Sequence, residues 1–133
     1  MFGLGPDPKL VQKMAGIIGA AGAAFDRSID MTAGLRNCDA PPIGEKYLGV
    51  ILGFAEHAAR MYNASDAATS KALETVLAAY QDGVGVHRRI KLLRSLDGQI
   101  NFRMWARLAL SRSNSQESMH AAMMELAELY FDR

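Results

Sequence analysis

All four prolines of this 133-residue chain lie before residue 43. They are Pro6, Pro8, Pro41 and Pro42. From Ile43 to Arg133 every residue therefore keeps its backbone N–H, and nothing covalent interrupts a helix. No stretch alternates apolar and polar residues with a period of two, whereas apolar spacings of three and four recur along the chain. The sequence thus predicts an all-α protein: a compact bundle of five or six helices with a short extended N-terminal arm. The arm takes residues 1–8 and a single helical domain takes residues 9–133. Half of the residues are hydrophobic, enough for one core. A chain of this size buries about two thirds of its unfolded surface.

The pattern turns helical at Pro8. Val11, Met14, Ile18, Phe25 and Ile29 form a stripe, with Ala21 or Gly22 filling its gap. Asp7 is placed to cap this helix and Pro8 suits its first turn. The opposite face is small: Gly16, Gly19, Ala20, Ala23 and Ala24. Each interior Gly costs about 1 kcal/mol relative to Ala, so this face is expected to pack tightly against another helix. Leu35 to Pro42 reads as a loop. A second helix is expected over 43–62, with Tyr47, Leu48, Ile51, Phe54, Ala55, Ala58 and Tyr62 as its apolar stripe. A third starts at Asn63 or Ser65 and runs to Gln81, with Ala68, Ala72, Val76 and Tyr80 inward. Asp82-Gly83-Val84-Gly85 breaks it. A short fourth helix covers 86–96 and a fifth covers 99–111. Asn114 with Glu117 has the outline of a capping box for a sixth helix reaching Tyr130, with a core stripe of Met119, Ala122, Met123, Leu126 and Tyr130.

The charge is unevenly placed. Residues 86–112 hold Arg88, Arg89, Lys91, Arg94, Arg103, Arg107 and Arg112 against one acid, Asp97, a local charge of about +6. The remainder has eight basic and thirteen acidic residues, about −5, so the net +1 conceals a strongly polar distribution. Such a field steers an anionic partner. In helix five Arg103 and Arg107 fall on the polar side, opposite Phe102, Trp105, Ala106 and Ala109. Like charges at that spacing repel by a few tenths of a kcal/mol, so something must neutralise them. One reading is an acidic protein surface or assembly neighbour, or a nucleic-acid backbone. The other is a solvated face balanced by the chain's own acids, such as Glu117, Glu125, Glu128 and Asp132.

Other constellations are thin. Helix, turn and helix over 108–123 have the topology of a DNA-reading motif, but the second helix carries Glu rather than cations. His57 and His87 stand 30 residues apart, yet His87 lies among arginines after a glycine-rich break, unlike a haem-facing residue. Glu117 and His120 make one ExxH, where a carboxylate di-iron bundle uses two. Cys38, the only cysteine, precedes Asp39 and has no neighbouring base to activate it. No disulfide can form within one chain. The residues thus predict no catalytic site, no metal and no cofactor. Met119, Met123 and Met124 suit a core or a partner groove. Phe25-Asp26-Arg27 recurs at Phe131-Asp132-Arg133, a match expected by chance.

Residues 14–24 superficially resemble a leader peptide, but Asp7 lies in the would-be charged region and only Met14, Ile17 and Ile18 are bulky. That run is also too short to span a membrane. The expectation is a cytoplasmic, non-enzymatic protein-interaction or assembly module of bacterial or phage type. Its basic helices would engage an acidic protein, with nucleic-acid binding through the same helices as the alternative. Phe2 and Leu4 of the arm are candidates for homo-oligomer contacts.

Overall fold

The computed structural model describes residues 5–41, 44–79 and 100–132. They form five helices and no strands: α1 (Pro8–Arg36), α2 (Glu45–Tyr62), α3 (Asp66–Leu77), α4 (Ile100–Ser113) and α5 (Met119–Asp132). The expected fourth helix over 86–96, Phe2 and Leu4 of the arm, Tyr80 and His87 lie outside the described residues. No helix among those described is long and apolar enough to cross a membrane.

The helix ends follow local chemistry. The Asp7 carboxylate accepts from the Lys9 backbone N–H at 3.0 Å, and Pro8 occupies the first turn, as its fixed φ favours. At the far end α1 runs through Leu35 and Arg36, which the sequence placed in a loop. Asn37 stops it by adopting the left-handed region (φ 53°), where its N–H reaches the Ala33 and Gly34 carbonyls. Asn63 (φ 49°) ends α2 in the same way. Ser65 caps α3, accepting from the Ala68 N–H at 3.1 Å. The expected Asn114–Glu117 capping box does not form. Ser118 caps α5 instead, accepting from the Ala121 N–H at 3.2 Å. The Asn114 side chain is taken by His57 of α2, whose Nδ1 lies 2.8 Å from Asn114 Oδ1.

The core gathers around α2. Tyr47 to Ala55 are buried without interruption, because α1 and α3 cover one side of this helix and α4 the other. The predicted stripe of α1 is buried throughout, as are Phe102, Trp105, Ala106 and Ala109 of α4. Phe25 is the hub: its ring meets Phe54 edge-on at 6.1 Å, Tyr130 edge-on at 5.5 Å and Tyr47 at 6.0 Å. Two expected core residues face solvent instead, Tyr62 and Met119.

The small face of α1 is not where two helices approach closely. Gly16, Ala20 and Ala23 are exposed, and a Cβ added at Gly16 or Gly19 would meet nothing within 4 Å. The close approach lies between α2 and α4, the most extensive helix pair described. A Cβ at Gly49 would fall 2.5 Å from the Phe102 carbonyl oxygen and 3.1 Å from Trp105 Cβ. One at Gly53 would fall 2.6 Å from Ala109 Cβ and run into the Ala106 carbonyl oxygen. The two glycines, one helical turn apart, let the α4 backbone rest against that of α2.

Candidate partner-binding face

Four of the seven predicted contact residues, Arg88, Arg89, Lys91 and Arg94, lie outside the described residues. The other three lie on α4, whose buried Phe102, Trp105, Ala106 and Ala109 fix which side faces out. Arg103 and Arg107 are exposed and one turn apart, on neighbouring positions of that outer side. Half-buried Met104 and Leu108 lie beside them. Together with Ser111 these four residues line an open depression of about 540 Å³. A smaller recess of about 200 Å³ runs from the same two arginines to Leu52 and Glu56 of α2. This edge of α4 therefore offers cations next to apolar surface, with an acid at its border.

Arg112 is held within the chain: its guanidinium donates to Glu125 of α5. Asp132, another acid near the end of α5, is taken by Arg36 of α1 in a forked pair. The Arg36 hydrogen bond holds the Asp132 carboxyl below its usual pKa.

A second recess, about 350 Å³, lies where α1, α2 and α5 meet, between Lys13, Ile17, His57, Met61, Met119 and Met123. Met61 and Met119 are half exposed there, at 55% and 50%, whereas Met123 is buried. A third recess of about 320 Å³ is lined by Asp26, Ile29, Asp30, Pro41, Tyr47 and Tyr130. Beside it, Lys46 bridges helices. Its Nζ donates to the Tyr130 carbonyl oxygen at 2.9 Å and stands 5.2 Å from the Trp105 ring centre and 4.8 Å from that of Tyr130. Burial pulls the Lys46 ammonium below its usual pKa. Sequence reasoning missed this third recess, since its residues come from three helices and the segment that follows α1, and share no motif.

Cys38 is exposed and unpaired with another cysteine. Among the described residues no group of three or more His, Cys, Asp or Glu could hold a metal ion. Comparison with protein-family models, with curated proteins and with solved structures finds no match.

Proposed function

We propose that this chain is a cytoplasmic, non-enzymatic interaction or assembly module whose basic segment, residues 86–112, engages an acidic protein surface. The observation that carries this reading is the outer edge of α4. Arg103 and Arg107 stand exposed around a depression whose other lining is Met104, Leu108 and Ser111, two of the three apolar. A phosphate backbone asks only for cations. A protein partner also buries apolar area, with arginine among the side chains enriched at such interfaces. The mixed lining therefore favours a protein with acids around an apolar patch. The Arg112–Glu125 pair points the same way, because it removes one cation from a phosphate-tracking row.

The test is the double variant Arg103→Glu/Arg107→Glu. Both positions are exposed, so it should keep the helical fold, checked by circular dichroism. It should lose every partner that the parent retains in a pull-down at moderate salt. In parallel, the parent is titrated against duplex DNA and single-stranded RNA at several salt concentrations. A phosphate-binding face would give a slope of about 0.7–0.9 per phosphate neutralised in log affinity against log salt. Such a slope, abolished by the same variant, would replace the protein reading with the nucleic-acid one. A variant that keeps all partners would reduce the arginines to solvation.

A further inference from the structure

The recess walled by Asp26, Asp30, Tyr47 and Tyr130 is independent of the basic face. Asp26 and Asp30, one turn apart on α1, carry two carboxylates at its mouth. Tyr47 of α2 and Tyr130 of α5 provide aromatic wall, and Ile29 with Pro41 completes an apolar lining. The Tyr47 hydroxyl donates to Asp26 Oδ1 at 2.7 Å, which fixes that carboxylate and leaves its second oxygen to accept.

Three observations distinguish this recess from two solvated surface acids. First, no described cation comes within ion-pair distance of Asp26 or Asp30. Lys46, the cation next door, is committed to the Tyr130 carbonyl and the two rings. Second, Tyr130, only 2% exposed as a residue, lines the recess, and among the described residues none hydrogen-bonds to its hydroxyl. Third, Asp26 is partly desolvated, and burial, with the nearby Asp30 charge adding, lifts its pKa despite the Tyr47 hydrogen bond. Two carboxylates one turn apart leave a surplus of negative charge at the recess.

We propose that this recess binds an organic cation: a guanidinium or alkylammonium group on a short apolar stem. The charged head would sit between Asp26 and Asp30, its N–H groups donating to the carboxylates and to the Tyr130 hydroxyl oxygen. The stem would lie against Ile29, Pro41 and the tyrosine rings. A volume of about 320 Å³ is at the small end of ligand sites, which suits a stem of a few carbons. The same chemistry is presented by a free amine or guanidine and by an arginine side chain on a protein segment.

Nuclear magnetic resonance titration of the full chain tests this with three probes: n-butylguanidinium, its neutral isostere n-butylurea, and a capped pentapeptide with one arginine flanked by alanines. The cation should shift the Asp26, Asp30, Tyr47 and Tyr130 signals saturably, and butylurea should bind about tenfold more weakly or worse. Asp30→Asn, at an exposed position, should weaken the cation about tenfold. Tyr130→Phe should weaken it several-fold, with the melting temperature recorded to show that the core is intact. Equal binding of free cation and peptide identifies a small-molecule site. Tighter binding of the peptide identifies a partner's side chain. The proposal is overturned if butylurea binds as well as butylguanidinium, if Asp30→Asn binds like the parent, or if no saturable shift occurs at millimolar cation.

Discussion

Gly16 and Gly53 sit in the middle of their helices and differ only in what surrounds them, so one substitution at both positions isolates the α2–α4 contact. At Gly16 a methyl group enters open space, and Ala gains over Gly by about 0.5–1 kcal/mol through helix propensity and a less free unfolded chain. At Gly53 the same gain applies, but the methyl group meets Ala109 Cβ at 2.6 Å and the Leu110 backbone nitrogen at 3.1 Å, besides the Ala106 carbonyl oxygen. Backbone cannot rotate aside as a side chain can. Relief requires moving α4 as a whole, so the cost belongs at the upper end of overpacking penalties, about 3 kcal/mol. The net effects are a loss of about 2 kcal/mol for Gly53→Ala and a gain of up to about 1 kcal/mol for Gly16→Ala. For a domain of this size about 4 °C of melting temperature corresponds to each kcal/mol. Thermal melts followed by far-ultraviolet circular dichroism should show Gly53→Ala melting about 8 °C lower and Gly16→Ala about 3 °C higher than the parent. If both variants melt higher, α4 does not rest on α2 at these glycines and the packing register is wrong.

Further expectations are as follows. Thr32 Oγ1 is buried without a partner among the described residues, so Thr32→Val should raise stability by about 1 kcal/mol, read by urea denaturation; a loss would show that the hydroxyl is satisfied in solution. Because Arg36 lowers the Asp132 pKa, that pair stabilises the fold above the ordinary carboxylate pKa and is lost as pH falls through the lowered value; Asp132→Asn should therefore be less stable than the parent at neutral pH and equal to it in strong acid. Asp26 has the opposite sign: its raised pKa means that the fold favours the protonated form, so Asp26→Asn should match or exceed the parent above about pH 5, measured by melting temperature across pH. Deleting Met1 to Gly5 should change oligomer size by light scattering or lower the melting temperature if Phe2 and Leu4 dock.

Helix type and most of the core were legible because periodicity is local. The stripe from Val11 to Ile29 and the Phe102–Ala109 face needed only the helical repeat. Helix ends were legible where one side chain decides, as at Asp7 and Pro8. They were not where a distant residue competes: Asn114 has the chemistry of a cap, but His57 claims it across 57 positions. Interior glycines announced a close helix contact without saying which ones make it. Three in α1 suggested that face, yet Gly49 and Gly53 of α2 take the role, because α2 is covered on opposite sides and α1 is not. The charged edge of α4 was legible as a helical face, whereas the pairing of Arg112 with Glu125 depended on how α5 returns. The Asp26–Tyr130 recess was invisible in sequence, since its walls are 104 positions apart. The two copies of the Phe-Asp-Arg tripeptide sit in different surroundings: Asp26 accepts from Tyr47, whereas Asp132 pairs with Arg36.

Trp105 is the only tryptophan in the chain, and it lies 1% exposed where α2, α4 and α5 converge. Tyr130 meets its indole edge-on at 5.5 Å and the Lys46 ammonium stands over its face. The molecule thus carries a single built-in optical reporter at the joint of three helices. An ammonium on the indole face and an apolar surround both shape its emission, so loosening any one of the three helices registers as a change in intensity and a shift to the red. Tyr130 is at once a wall of the acidic recess and the neighbour of that indole, so events in the recess are one aromatic contact away from the chromophore.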